Sequence, residues 1–581
     1  MTCNLSNAKL LLLSLIGMSC SVCAVVASAE EGASLFAAPQ VHAPTVSNQV
    51  QSGLASEQPL RTAWDCRTET GFQPSVLRFG VIPPPPIPNP VVDCYSCDTF
   101  APPLCNDAEH DAHVLHHPPA TDCRSNLSIY YQSDFSGDPI YDHIPWDSCV
   151  EMNVYGGKHL VPTQHPLLEL GFPFYRNGPV PPYQELFGPT NLVLQKLYVY
   201  GDYRVAYAQN NLVGGDHSVL AHRLNLEFDY WLTATERFHM FSGPFQEGNS
   251  FMRIDNGDFV EVLDFFDANT DTAFFEGDLG QIIGGFTSSY SAFDMPITAG
   301  IIPLLFQNGI WMQDAMVGVA ATIPARNNPA LDWSNYDVTM FAAFDKVSTG
   351  AAPGDEDAAQ LFGATTFIES RGGYFELGYA YVNDRKDSDR NYNNLGISYT
   401  RRYLNRVSNS MRVIVNAGQN GPQSARTADG VLLLAENTLI SRMPYNLMPY
   451  CNFFAGFDRP QPAARAAAFG GVLFNTGILF QSDALTGYPT LDATANNTFG
   501  VATGVDLLGP NYDQQLIVEV AALQVMGSDV GRAAPGDQLG VGFRYQVPIT
   551  NAHLLRFDAM HGWLDNSEDI NGARAEFRWK F

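Results

Sequence analysis

His110, His113, His116 and His117 fall within one eight-residue stretch, with Asp107, Glu109 and Asp111 beside them. Imidazoles at that density make a candidate Zn²⁺ or Cu²⁺ site. A His-rich tract is only a compositional signal, and the competing reading is a solvated loop closed by a disulfide. Cys105 and Cys123 flank the tract, and with Cys66, Cys94, Cys97 and Cys149 they form a cluster of six. In an exported chain such a cluster reads as up to three bridges, with about fifteen possible pairings that sequence leaves open. No His follows Cys94-Tyr95-Ser96-Cys97, so covalent haem is not indicated and a structural disulfide is expected. The chain lacks a phosphate-binding loop, a zinc-protease helix motif, a dinucleotide fingerprint and a nucleophile elbow. No catalytic residue is selected, no cofactor is called for, and a non-enzyme is expected. With 32 Lys plus Arg against 60 Asp plus Glu, nucleic acid is an improbable partner.

A second set of chemically able residues is ordered by parity. In the last strand-like segment Arg574, Glu576, Arg578 and Lys580 share one face, while Ala573, Ala575, Phe577, Trp579 and Phe581 share the other. Glu227 and Asp229 alternate with Leu226, Phe228 and Tyr230. Arg412 stands opposite Met411 and Val413, Arg544 opposite Phe543 and Tyr545, and Arg556 opposite Leu555 and Phe557. Phe375, Leu377, Tyr379 and Tyr381 form a further outer face, as do Val472, Phe474, Thr476, Ile478 and Phe480. Burying the charged faces in a dry core would leave them uncompensated at high cost. A water-filled lumen behind a lipid-facing exterior removes that cost. Pore-lining candidates are therefore Arg402, Arg412, Arg544, Arg556, Arg574, Glu576, Arg578, Lys580, Glu227 and Asp229, joined by Asp264 and Asp267 from an acidic stretch.

The elements that would position them follow from the rest of the chain. Hydrophobic residues make up 45% and charged residues 16%, low for a soluble globule, where about 25% is typical. Residues 1–29 read as a cleaved signal peptide, with Lys9, an apolar run and Ala27-Ser28-Ala29. Beyond it no apolar run approaches the ~18 residues of a membrane helix. Residues 30–190, rich in Pro and Cys, read as a loop-rich, disulfide-stapled extension, and 191–581 as short alternating segments. A spanning sheet must close on itself, since hydrocarbon cannot satisfy a free edge. At roughly 22–25 residues per strand, a closed antiparallel all-β transmembrane barrel of about 16 strands (about 14–18) is expected. Tyr403, Tyr545 and Trp563 are candidates for interfacial aromatic girdles. Charge is uneven: 193–370 holds 7 Lys plus Arg against 23 Asp plus Glu, and 371–581 holds 18 against 19.

The leader, the large Gly- and aromatic-rich segment and the terminal Phe581 resemble bacterial outer-membrane barrels of porin type, general or substrate-selective. The resemblance implies a channel for passive diffusion of small polar solutes or ions in the cell outer membrane, with lipid around it. It also implies that Phe581 is read by the barrel assembly machinery, that three copies associate, and that the acidic segment 254–278 folds inward to face the arginines. It identifies no subfamily. The alternatives are a structural or adhesive outer-membrane barrel without transport, and a secreted soluble β-protein.

Overall fold

The computed structural model describes residues 165–171, 185–247, 250–262, 270–440, 447–509 and 514–581. The six clustered cysteines, the His tract, the leader, Asp264 and Asp267 lie outside the described residues. The wall is one antiparallel meander of eighteen strands. They are β1 Lys196–Leu212, β2 Gly215–Trp231, β3 Arg237–Ser242, β4 Thr270–Asp278, β5 Pro296–Phe306, β6 Met312–Asn328, β7 Trp333–Asp345, β8 Ala359–Ser370 and β9 Gly373–Asp384. The rest are β10 Tyr392–Tyr403, β11 Val407–Ala417, β12 Val431–Leu439, β13 Leu447–Phe457, β14 Thr498–Leu508, β15 Gln515–Val525, β16 Gln538–Pro548, β17 His553–Leu564 and β18 Ile570–Lys580. β1 pairs with both β2 and β18, so the sheet is closed. Phe581 extends the seam, its N–H donating to the Gly201 carbonyl at 3.0 Å and its carbonyl accepting from the Gly201 N–H at 2.9 Å.

Eighteen strands stand at the upper end of the expected range. The allowance of 22–25 residues per strand was too generous, because several turns are very short, such as the one between Ser370 and Gly373. At one end the connections are mostly brief, and one carries a helix, α1, Leu279–Thr287, capped by the Asp278 carboxylate accepting from the Gln281 N–H. The other end carries longer loops, including 346–358, 418–430 and 458–497.

Alternation decides which way each side chain points. In β18 Ala573, Ala575, Phe577 and Trp579 are exposed while Gly572, Arg574 and Glu576 are buried. The same holds around the ring: Leu220, Val319, Tyr379, Met411, Val518 and Phe557 are all exposed on the outer face. So continuous an apolar exterior has no place in water. No helix among the described residues is long and apolar enough to cross a membrane, and the strands, most of 11 residues or more, suffice when tilted. The chain is a transmembrane β-barrel.

Two expectations are corrected. Val472, Phe474, Thr476, Ile478 and Phe480 do not form a lipid-facing strand. They belong to the 458–497 connection, which folds into the barrel, where Val472 and Phe480 are fully enclosed and Ile478–Phe480 forms a 3₁₀ turn. Apolar alternation alone does not separate a face toward lipid from one toward an inner wall. Nor is 254–278 the inward loop: Arg253–Asp255 and Asp258–Val260 make a small hairpin that extends the wall beside β2, and Thr270–Asp278 is β4 itself.

Candidate functional site in the barrel lumen

The lumen has two regions. Toward the long-loop end it is filled by two inward pieces. The turn between β5 and β6 drives Trp311 to mid-depth, fully buried, its indole N–H donating to Asn394 Oδ1 at 2.8 Å. Gly378 and Gly396 on β9 and β10 leave room for that ring; a Cβ at either would come within 2.7 Å of it. The larger piece is the inward segment 458–497. Its Leu479 and Leu491 lie on Gly540, Gly542 and Gly562, and Pro489 lies on Gly572. Around these contacts Leu361, Ile414, Leu432 and Met560 complete an apolar cluster inside the barrel.

Polar latches fix the segment to the wall. Both Glu519 oxygens are taken: Oε1 accepts from the Leu479 N–H at 2.9 Å, and Oε2 accepts from the Ile478 N–H at 2.9 Å and the Tyr450 hydroxyl at 2.5 Å. Asn452 donates to the Thr476 carbonyl at 2.7 Å. Asn210 donates to the Thr486 carbonyl at 2.9 Å, and Gln538 Oε1 accepts from the Asp492 N–H at 2.9 Å. At the root, Arg459 grips Asp429 through two bonds of 2.8 and 2.6 Å.

The second region, toward the short turns, is polar and ion-paired. Asp558 on β17 takes Arg544 from β16, Arg556 from its own strand and Arg574 from β18, each at 2.8 Å. Arg574 also reaches Asp483 of the inward segment at 2.5 Å, so the segment is tied to the arginine cluster. Burial alone would raise the Asp483 carboxyl, but Arg574 and the Thr486 hydroxyl outweigh it and hold it below its ordinary value. Arg578 pairs with Glu576 at 2.8 Å, and Arg204 with Asp202 on β1. Across the ring, buried Arg412 meets Glu436 at 2.9 Å. On β2 Asp229 accepts from Tyr200, Arg237 and His239, at 2.6, 3.1 and 2.9 Å, and Glu227 meets the other His239 nitrogen at 3.0 Å. Arg402 is half-buried at lumen parity near the short turns, and Lys580 is exposed at the rim.

Among the described residues, the structure therefore places the candidate arginines, Glu227, Asp229 and Glu576 on the inner face but not as two opposed walls. Most are neutralised by partners on the same or a neighbouring strand, so the described residues form no free arginine ladder. Tyr403 is exposed at a strand end, as a girdle residue requires, and at the same end of the barrel, in the seam, Trp579 and Phe581 meet edge to face at 5.2 Å. Sequence reading missed the residues that hold the plug. The available signal was glycine at lumen parity, Gly378, Gly396, Gly540, Gly542, Gly562 and Gly572, since an inward-facing Gly in a strand marks a close approach.

No protein-family model matches the sequence, and no curated protein matches it. Among solved structures, Pseudomonas aeruginosa OccK5 (OpdH) aligns with 66% of this chain and 98% of its own, at 10% identity and a TM-score of 0.43. The Escherichia coli outer-membrane protein Wzi aligns over 66% and 85%, at 16% identity and 0.40. Acinetobacter baumannii OccAB4 aligns over 66% and 97%, at 8% identity and 0.40. The barrel assignment rests on strand pairing and on the outward apolar face, not on these likenesses.

Proposed function

We propose that the chain is an outer-membrane barrel that lets small polar solutes or ions diffuse passively through a lumen narrowed by its inward segment. The observation that carries this reading is the sorting of the wall, greasy outside and ion-paired inside, in a ring of eighteen strands. A ring of 16–18 strands leaves an aqueous interior unless something fills it. The apolar fill leans on β5 to β17, and toward the long loops Leu485 also packs with Ala206 of β1 and Val219 of β2; toward the short turns the path is drawn along β1 to β4, past Asp202, Arg204, Glu227, Asp229 and Glu276. In bacterial barrels the short turns face the periplasm and the long loops the outside. That orientation puts the inward segment at the outer mouth and both the start of β1 and Phe581 at the periplasmic rim, and Phe581 is read as the assembly signal. Three copies associating, as in porins, belongs to the same reading.

Purified protein reconstituted in planar bilayers should give discrete conductance steps. A folded, heat-modifiable barrel that passes no current would sink the channel. The filled upper lumen favours a second reading in that event: a non-transporting barrel whose loops present a surface.

A further inference from the structure

The outer wall carries a groove of about 440 Å³ across β2 to β5. Two rows of side chains bound it. Nearest the short turns, Tyr230, Phe238, Phe275 and Ala299 stand side by side across the four strands. Two residues further along, Phe228, Met240 and Ala273 do the same. Their parity is opposite to that of Asp229, Arg237 and Glu276, which pair inside the lumen, so the groove opens on the lipid side. We propose that it holds one acyl chain of a phospholipid as a fixed neighbour of the barrel. The site goes beyond transport and needs only that the barrel stand in a bilayer.

Small residues set among large ones make the hollow. Ala273 stands between Met240 and Ile301, and Ala299 stands beside Phe275, so the floor is methyl groups and the rim is rings. A ring at position 275 could lean either way along its strand. It lies over Gly277, where a Cβ would come within 3.0 Å of it, and tilts against Phe238 at 5.2 Å between centroids. The two rings thus close the short-turn end and leave the space over Ala273 and Ala299 open. This surface is presented to the outside, since Phe238 is 48% exposed and Ala299 is exposed beside it.

Continuity with the lipid-facing wall identifies the occupant. Leu220 on β2 and Leu305 on β5, both exposed, carry the same apolar face on toward the long loops. Hydrocarbon fills such a hollow, because an empty one forfeits dispersion contacts along its whole lining. At about 30 Å³ per small group, the share of one water, the volume takes about 15 chain carbons, which is one acyl chain and not two. Tyr230, Phe238, Phe275 and Ala299 lie within three residues of their strand ends, about 10 Å from the short turns, so the chain belongs to a lipid of the nearer leaflet. Of the lining residues only His239 can carry charge at neutral pH, and Glu227 and Asp229 hold its ring in the lumen at 3.0 and 2.9 Å. The groove therefore reads the chain and not the headgroup.

The test uses the full-length barrel in detergent, supplied with phosphatidylethanolamine and phosphatidylglycerol of equal chain length and weighed by native mass spectrometry. One retained phospholipid per barrel is expected, with both headgroups held alike. Ala273→Leu combined with Ala299→Leu fills the floor and should lower retention roughly fivefold or more. Ala435→Leu, on the outer face of β12 beside exposed Met411 and across the ring, should leave retention unchanged. All three side chains face lipid, and the boiled-versus-unboiled gel shift confirms that each variant is folded. No retained lipid, retention untouched by the double substitution, equal loss in Ala435→Leu, or retention of one headgroup only would each overturn the proposal. So would a native multimer that the double substitution splits, since a second copy would then occupy the groove. Conductance plays no part in these outcomes, so the channel reading stands or falls separately.

Discussion

Replacing Glu519 by Gln is the sharpest test of whether the inward segment is held or merely resting. In the native barrel one carboxylate accepts from two backbone N–H groups of the segment and from the Tyr450 hydroxyl of the wall. A Gln side chain keeps one accepting oxygen and puts an NH₂ where the other stood. At least one of these donors then faces another donor with nowhere to turn, inside a site that is 0% exposed. A lost hydrogen bond to a charged group is worth about 1.5–3 kcal/mol, and a buried unmade donor costs about 1–3 kcal/mol. Taking about 3 kcal/mol for the segment's attachment, the ratio of seated to displaced segment falls by about two decades. Single-channel recording should show added openings to a larger conductance, and limited proteolysis should cut within 458–497 faster than in the native protein. A folded variant with native conductance and native protease resistance would refute the claim that these bonds seat the segment.

Other outcomes follow from the same contacts. Gly572→Val places a side chain against the Pro489 ring, 2.7 Å from where a Cβ would stand, and overpacking of that kind costs about 1–3 kcal/mol. Its heat-shift temperature should fall while assembly continues, and an unchanged temperature would show the segment to be loosely applied. The path along β1 to β4 carries more carboxylates than cations, so the reversal potential in a KCl gradient should show a cation preference; anion preference would place the path elsewhere. Asp483 has a folded pKa below its ordinary 3.8, so its link to Arg574 is fully present above 3.8 and is lost as pH falls below it. Conductance should hold steady from about pH 7 to about pH 5 and rise only near or below about pH 3. A rise at pH 6 would implicate another group. Deleting Phe581 removes both hydrogen bonds to Gly201 and the proposed assembly signal, so membrane-inserted protein should drop at least tenfold, measured by fractionation.

Strand polarity was readable because it follows from chemistry with a period of two. Arg574 and Glu576 could face only water or partners, and Phe577 and Trp579 only lipid, so parity settles their direction. The plug was hidden for the converse reason. Leu479, Phe480 and Leu491 seek apolar surroundings, and sequence does not tell a lipid tail from the inside of a glycine-smoothed wall. Pairing was equally invisible. Arg544 and Arg574 meet Asp558 only because β16, β17 and β18 align in register, which puts each directly opposite it, while Arg556 reaches it from two residues away on β17. Counting charges along the chain predicted a field across the lumen, whereas neighbouring strands cancel most of it locally.

The seam between β1 and β18 brings the first and last strands of the ring together, with nearly the whole barrel sequence between them. Lengthening the intervening chain adds entropy to closing it, and no earlier strand can stand in for the last. An unfinished or truncated product therefore exposes two unpaired edges and cannot settle in hydrocarbon at all. Such a molecule must stay escorted and unfolded until its final residues arrive, and any nick that removes them condemns the whole ring instead of shortening it.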